Sequence, residues 1–208
     1  METPTAASSL RFLALGDSYT IGESVEADQR WPMQLAAALR ERGVRIADPE
    51  IIARTGWTTA DLLRAIDMKG ELGDHDLVSL LIGVNDQFQG LSIDGYRERF
   101  RELLAVAVEA AGGKPERVIV LSIPDWSYTP YAETIERPDV SAEIDVFNAV
   151  AREESEEAVV HFFNIAPMTR PMVYDAELFA DDGLHPSATM YAMWVDAILP
   201  EVLEIFRD

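Results

Sequence analysis

Five short apolar segments alternate along the chain with segments of helical periodicity. Each apolar segment is a near-continuous run, which is typical of strands that are buried on both faces of a parallel sheet. The predicted strands cover residues 10–15, 50–53, 77–82, 117–123 and 159–165. This succession of strands and helices predicts a three-layer α/β domain with a parallel sheet, but periodicity alone does not give the order of the strands.

Segments with helical spacing of apolar side chains lie between and after the predicted strands. They cover residues 31–43, 59–68, 96–111 and 140–156, and a last helix begins after Ser187, a good N-cap residue. Pro200 lies inside this last segment. Because proline removes a helical hydrogen bond and clashes with the preceding turn, we expect the last helix to kink or restart there.

The length and composition of the chain are those of one globular domain. With 208 residues, of which 48% are hydrophobic, it can bury one core and is too short for two domains of usual size. Residues 1–208 are therefore interpreted as a single domain. The chain has no cysteine, which excludes a disulfide framework, a thiolate nucleophile and thiolate metal ligands.

Acidic residues outnumber basic residues strongly. Asp and Glu total 37, Lys and Arg total 17, and the formal net charge is -20. Such a surface repels phosphate backbones and anionic headgroups, so neither nucleic acid nor a membrane surface is an expected partner. The excess of acid and the scarcity of lysine also favour the hypothesis of adaptation to high salt, where screening weakens the repulsion between like charges.

The N-terminal segment and the apolar runs bear on the location of the protein. Residues 1–9 have neither the basic nor the apolar part of a secretory signal peptide. No apolar run in the sequence approaches the roughly 20 residues of a membrane-spanning helix. A cytoplasmic location without a membrane span is therefore expected.

Four segments rich in glycine and polar residues follow the predicted strands. They are Gly16-Asp17-Ser18-Tyr19, Arg54-Thr55-Gly56-Trp57, Gly83-Val84-Asn85-Asp86 and, before the last helix, Asp182-Gly183-Leu184-His185-Pro186. In open α/β sheets the ligand binds at the carboxyl ends of the strands. We therefore expect the four segments to meet at one edge of the sheet.

These segments contain the residue types that ester hydrolysis by a serine requires. The reaction needs a nucleophile, a base, a group that orients the base, and hydrogen-bond donors to the oxyanion. Ser18 is the candidate nucleophile, His185 is the candidate base, and Asp182 can bond the other imidazole nitrogen. The candidate oxyanion donors are the backbone N–H groups of Ser18 and Gly56 and the side-chain amide of Asn85.

The four segments resemble the motifs of the SGNH/GDSL hydrolases, and the resemblance spans residues 16–186. The first segment differs slightly, with Tyr19 where the family name has leucine. The resemblance implies a three-layer α/β/α, flavodoxin-like fold with a doubly wound five-stranded parallel sheet of order 2-1-3-4-5. It also implies acyl-ester hydrolysis without a metal ion or cofactor. In that reaction Ser18, Asp182 and His185 form the catalytic triad, and Ser18, Gly56 and Asn85 form the oxyanion hole.

Two other hydrolytic chemistries fit the sequence less well. The nucleophile elbow of the α/β-hydrolases requires Gly-x-Ser-x-Gly, and Thr20 stands at the position of the second glycine. A metallohydrolase requires clustered histidine and carboxylate ligands, whereas His75 and His161 are far from His185 in sequence. We interpret His161 as a structural strand residue and His75 as a solvated loop residue.

The expected partner is a small-molecule acyl ester. Aromatic residues are frequent in the loops near the predicted site, and Trp57, Phe88 and Trp126 are candidates for the substrate pocket. A small or short-chain acyl group is favoured. A carbohydrate acetylesterase, a thioesterase and a lysophospholipase are alternatives within the hydrolases, and a catalytically inactive binding domain is an alternative outside them. Two long connections, residues 124–138 and 166–182, are expected to be functional loops.

Overall fold

The computed structural model describes residues 9–170 and 175–207. Its centre is a sheet of five parallel strands in the order β2-β1-β3-β4-β5. The strands are β1 (Phe12–Gly16), β2 (Glu50–Ala53), β3 (Leu77–Leu81), β4 (Val118–Leu121) and β5 (His161–Phe163). The expected α/β class and the strand order that the resemblance implies are both confirmed.

Helices cover both faces of this sheet. They are α1 (Ser18–Ile21), α2 (Trp31–Glu41), α3 (Thr59–Lys69), α4 (Val84–Phe88), α5 (Ile93–Ala110), α6 (Val140–Glu157), α7 (Ala166–Thr169) and α8 (Ala188–Glu204). α2 packs against α8, whereas α5 packs against α3 and α6. Right-handed crossovers place helices on opposite faces when the chain crosses a sheet in opposite directions, so the two groups form the two outer layers.

The strands are shorter than most of the apolar runs that predicted them. Every residue of β1, β3 and β4 is buried, as expected for strands covered on both faces. The run over residues 117–123 extends beyond the end of β4, where Ile123 stays buried and its N–H donates to Asn148 Oδ1 at 2.8 Å. An apolar run therefore reports burial, whereas pairing with a neighbour decides where the strand ends.

The last helix begins as predicted but does not restart at Pro200. The Ser187 hydroxyl caps α8 by accepting from the N–H of Met190 at 3.3 Å, and α8 then continues through Pro200. Proline has no N–H to donate, so the carbonyl of Asp196 has no helical hydrogen bond. Both Pro200 and Asp196 lie on the exposed side of α8. Water can hydrate that carbonyl, which explains why the helix persists. Within the described ranges, neither α8 nor any other helix is long and apolar enough to cross a membrane.

The prediction that His75 is a solvated loop residue is wrong. Its residue exposure is 3%, and its backbone N–H donates to Ala110 O at 2.7 Å. The Arg11 guanidinium lies 3.2 Å from its Nε2, and Glu50 Oε2 lies 3.6 Å from the same atom. His75 is therefore covered by the end of α5, by Arg11 and by Glu50. His161 lies on β5, and its Nε2 is 3.1 Å from the carbonyl oxygen of Glu116.

Short helical turns occupy the two long connections between β4 and α8. Turns at Trp126–Tyr128 and Ala132–Thr134 lie in the first connection, and α7 and a turn at Ala176–Leu178 lie in the second. Residues 171–174 of the second connection lie outside the described ranges. Both connections reach the carboxyl edge of the sheet, where the four polar segments also lie.

Candidate active site

Ser18 lies directly beyond the carboxyl end of β1, between the ends of β2 and β3. Asp17 is the N-cap of α1, and its Oδ1 accepts from the N–H of Tyr19 at 3.0 Å. A Cβ atom at Gly16 would lie 2.2 Å from Thr20 Oγ1 and 2.4 Å from Leu81 O. Only glycine therefore allows α1 to fold back so closely over the end of the strand. This helical turn, which the sequence pattern did not predict, holds Ser18 on rigid backbone.

Asp182 and His185 form a tight pair in the turn before α8. One carboxylate oxygen, Oδ1, accepts from the backbone N–H groups of Leu184 at 2.8 Å and His185 at 2.9 Å. The other, Oδ2, lies 2.6 Å from His185 Nδ1. The turn itself is closed because the N–H of Ala180 donates to His185 O at 2.8 Å. The pair is therefore held by both backbone and side-chain bonds.

These bonds keep the Asp182 carboxylate ionised. Partial burial raises its pKa, but hydrogen bonds from His185, Leu184 and Ser24 outweigh burial and lower the pKa from 3.8 to about 2. An ionised carboxylate accepts the proton on Nδ1 of the neutral imidazole and leaves Nε2 as the acceptor. His185 is thus arranged to act as a base through Nε2.

The Gly56 turn and α4 lie beside Ser18. Gly56 has φ of +84°, a left-handed conformation that favours glycine, within a turn closed from Trp57 N to Arg54 O at 3.2 Å. The Asn85 side-chain amide donates to Trp57 O at 2.9 Å, which fixes α4 to the Gly56 turn. A primary amide has two N–H groups, so the second one of Asn85 is available to a ligand.

One cavity of about 150 Å³ joins these segments. The lining residues are Ser18, Tyr19, Thr55, Gly56, Val84, Asn85, Phe88, Trp126, Tyr131, Leu184 and His185. Three aromatic rings form one wall, with ring centres 5.7 Å apart for Phe88 and Trp126 and 6.3 Å apart for Trp126 and Tyr131. Trp126 is fixed because its Nε1–H donates to Gln87 Oε1 at 2.9 Å.

Two of the three predicted pocket residues line this cavity, and Trp57 does not. The structure places Phe88 and Trp126 in its wall. The Trp57 side chain instead packs, half-buried, against the hydrophobic core, and only its carbonyl contacts the site through Asn85. The turn at Gly56 directs the next side chain away from the cavity, which an unassigned loop in the sequence could not reveal.

Ser18 and His185 face the same cavity without a direct hydrogen bond. Among the described residues, none accepts from the Ser18 hydroxyl or donates to His185 Nε2 within 3.5 Å. The His185 ring packs edge-on against Tyr19, with ring centres 5.6 Å apart. In ligand-free sites the bond between nucleophile and base is often long and shortens when substrate binds. The arrangement fits a nucleophile and base that engage with substrate present.

Two fully buried carboxyl groups beneath the site were not singled out from the sequence. Burial is the main cause that raises the pKa of Asp17 from 3.8 to about 8, and the nearby charge of Asp86 also raises it. Asp86 itself accepts from Thr59 N at 2.8 Å, Thr59 Oγ1 at 2.6 Å and Arg99 Nη2 at 3.2 Å. Asp17 is therefore neutral at pH 7, whereas Asp86 is paired. A polar residue between a buried strand and the candidate nucleophile was the available signal for Asp17.

Other parts of the surface offer less chemistry. In residues 9–170 and 175–207, no three His, Cys, Asp or Glu side chains cluster so as to hold a metal ion. An open groove of about 860 Å³ between α5 and α6 is larger than the Ser18 cavity. Two of its charged lining groups, Arg101 and Glu154, are bonded to each other at 2.8 Å, and no serine, threonine or histidine lines it. Chemistry rather than size therefore identifies the candidate site.

The predicted oxyanion role of Asn85 can be tested directly. Asn85→Ala is expected to lower kcat roughly 100-fold or more if its amide donates to the oxyanion, and to change the melting temperature little. Steady-state kinetics on a soluble ester and a thermal melt measure both effects. Asn85→Asp keeps the shape, removes both donors and is expected to lose at least as much. Wild-type turnover in both variants would remove Asn85 from the oxyanion hole.

Comparison with known proteins gives the same picture. No curated protein sequence matches the chain. Among solved structures it is similar to the psychrotrophic esterase EstA from Pseudoalteromonas sp., with 18% identity, a TM-score of 0.72, and coverage of 96% of this chain and 100% of that one. It is also similar to TesA, with 17% identity, a TM-score of 0.72, and coverage of 94% and 99%. At such identities these likenesses establish the fold alone.

A third structural neighbour carries the family name. AlinE4, an SGNH-hydrolase family esterase, shares 20% identity with a TM-score of 0.64, and the match covers 98% of this chain and all of that one. The sequence model of the GDSL-like lipase/acylhydrolase family matches residues 14–193, which include all four motifs of the site. The resemblance found in the motifs is thereby confirmed. This chain belongs to the GDSL-like lipase/acylhydrolase family and is an ester-hydrolysing enzyme.

Proposed function

We propose that the protein hydrolyses small or short-chain acyl esters through an acyl-enzyme on Ser18. The observation that carries this proposal is the single cavity that Ser18, Gly56, Asn85 and His185 all line. Asp182, bonded to His185 Nδ1 at 2.6 Å, completes the triad from outside that cavity. No step of the proposed reaction requires a metal ion or a cofactor.

The first half of the proposed reaction forms the acyl-enzyme. The Ser18 hydroxyl attacks the ester carbonyl as its proton passes to His185 Nε2. Asp182 stabilises the imidazolium that results. The oxyanion of the tetrahedral intermediate accepts from the backbone N–H groups of Ser18 and Gly56 and from the amide of Asn85. The imidazolium then protonates the alkoxide as the ester C–O bond breaks, and the alcohol leaves.

The second half repeats the same proton transfers with water. His185 Nε2 removes a proton from a water molecule, which attacks the acyl carbonyl of the Ser18 ester. The intermediate collapses with transfer of the proton back to Ser18, and the carboxylic acid leaves. The neutral imidazole is therefore the base in both halves of the reaction.

The size of the cavity supports a small acyl group. At about 150 Å³ it is smaller than pockets for drug-sized ligands, and a protein cavity of about this volume can hold one benzene molecule. Phe88, Trp126 and Tyr131 provide an apolar wall for a chain of roughly that size. The structural neighbour EstA was solved in a form inhibited by monoethylphosphonate.

A panel of esters tests this proposal. With p-nitrophenyl esters from acetate to palmitate, kcat/KM is expected to be highest for acyl chains of about two to six carbons and to fall roughly tenfold or more for palmitate. Phe88→Ala, which opens the aromatic wall, is expected to shift the optimum to longer chains. A maximum at palmitate in the wild type would contradict the short-chain proposal.

The same aromatic wall favours one second candidate. Aromatic rings also stack on the apolar faces of sugars, so a carbohydrate acetylesterase is the alternative that the cavity supports. Acetylated sugars belong in the same panel, beside a thioester and a lysophospholipid. A kcat/KM for an acetylated sugar well above that for nitrophenyl acetate would assign the alcohol part of the substrate to a carbohydrate.

A further inference from the structure

Ser24 contacts the triad carboxylate from the loop that follows α1. Its hydroxyl donates to Asp182 Oδ2 at 2.7 Å, although the two residues are 158 positions apart in sequence. Oδ2 is also the oxygen that lies 2.6 Å from His185 Nδ1. A carboxylate oxygen has two lone pairs, so it accepts from the hydroxyl and the imidazole together.

The backbone of Ser24 is held in an unfavourable conformation. Its φ is +65°, and Val159 is the other non-glycine residue with positive φ in the described ranges. Gly22 in the same loop ends α1 and also has a positive φ, +68°. Glycine adopts this conformation without the steric cost of a side chain. At position 24 the chain has a side chain in spite of its steric cost. Such strain beside a candidate site indicates that the side chain itself is used.

The loop of Ser24 is anchored to the other parts of the candidate site. The backbone N–H groups of Gly22 and Glu23 both donate to Ser18 O at 3.0 Å. The Glu23 carboxylate accepts from the hydroxyl of Thr55, the neighbour of Gly56. Residues 22–24 therefore connect the nucleophile segment and the Gly56 turn to the Asp182 carboxylate.

We propose that Ser24 is a positioning residue, whose hydroxyl holds the Asp182 carboxylate in the orientation that His185 requires. The Asp182 side chain is 32% exposed, so water competes for its oxygens and backbone bonds alone fix only Oδ1. The Ser24 hydroxyl fixes Oδ2 relative to the nucleophile segment. This inference rests on the proposed triad and adds a fourth residue that acts through Asp182.

Replacement of Ser24 by glycine separates positioning from folding. Ser24→Gly removes the hydroxyl and relieves the positive φ, so the melting temperature is expected to stay the same or rise. Because a hydrogen bond to a charged group is lost, kcat is expected to fall about tenfold while KM stays unchanged. The low-field proton resonance of His185 Nδ1–H is expected to shift or broaden. Ser24→Ala keeps the strain and is expected to show the same loss of kcat.

Val159→Gly is the matched control. It relieves the same kind of strain at a residue that is 73% exposed and does not line the cavity, so wild-type kcat is expected. Wild-type kcat and an unchanged resonance in Ser24→Gly would overturn the positioning role, as would an equal loss of kcat in Val159→Gly. Failure of the proposed triad has a different signature, which is full activity in Asp182→Asn.

Discussion

Ser18→Ala lowers kcat for ester hydrolysis by about 10⁴-fold or more, if the Ser18 hydroxyl is the nucleophile. The substitution removes one oxygen from a side chain that is almost completely buried at the end of β1, so the fold is expected to remain. What activity remains comes from binding and from the oxyanion donors, which do not depend on the hydroxyl. Steady-state kinetics on a short-chain nitrophenyl ester, with a thermal melt on the same sample, measure the effect.

Two further variants make this prediction specific. Residues that act as one unit lose their effects together, so Ser18→Ala/His185→Ala is expected to be about as slow as either single variant. Ser92→Ala is the matched control, because the Ser92 hydroxyl caps α5 by accepting from Gly95 N at 3.2 Å and does not line the cavity. It is expected to keep wild-type kcat. A loss below tenfold in Ser18→Ala, or additive losses in the double variant, would contradict the triad.

Asp17→Asn is expected to stabilise the protein at pH 8 and to give no gain at pH 4. The pKa of Asp17 in the folded protein is about 8, above its ordinary value of 3.8, because the carboxyl is buried. Between those pH values the unfolded chain loses this proton and the folded protein keeps it, so stability that is present below pH 4 is lost as the pH rises. The difference between 3.8 and about 8 corresponds to a cost on the order of 5 kcal/mol at pH 8.

Asparagine keeps the acceptor for Tyr19 N–H but cannot ionise. Its new N–H group is buried where Asp17 Oδ2 has no partner, which costs about 1–3 kcal/mol, so a net gain of about 2 kcal/mol or more is expected at pH 8. Urea unfolding at both pH values measures the difference. Asp86→Asn is the contrasting control, because it removes the charge paired with Arg99 and is expected to destabilise the protein. A gain in Asp17→Asn that does not change with pH would contradict a neutral Asp17.

The parts of the fold that follow from local pattern could be predicted. Strands covered on both faces have continuous apolar runs, and the carboxyl ends of parallel strands meet at one edge of the sheet. The sequence alone therefore predicts that four residues lie near one another: Ser18, Gly56, Asn85 and His185. The catalytic roles of these residues stay predictions.

The remaining features depend on contacts between distant segments. Ser24 meets Asp182 across 158 residues, and no periodicity or turn signal predicts that bond. Asp17 is buried because α1 folds back over β1, and Trp57 turns to the core because Gly56 has a positive φ. His75 is covered by contacts with Arg11, just before β1, and with Glu50, at the start of β2. Tertiary packing, rather than local propensity, decides each of these positions.

The site of reaction with a fluorophosphonate tests the central claim most directly. Such a probe reacts preferentially with a serine that a base activates beside an oxyanion hole, so mass spectrometry of the intact protein is expected to show one label per chain. Peptide mapping should place it on Ser18, with labelling lost in Ser18→Ala and kept in Ser187→Ala, the serine nearest to His185 in sequence. Label on another residue, or none on the folded wild type, would contradict the account.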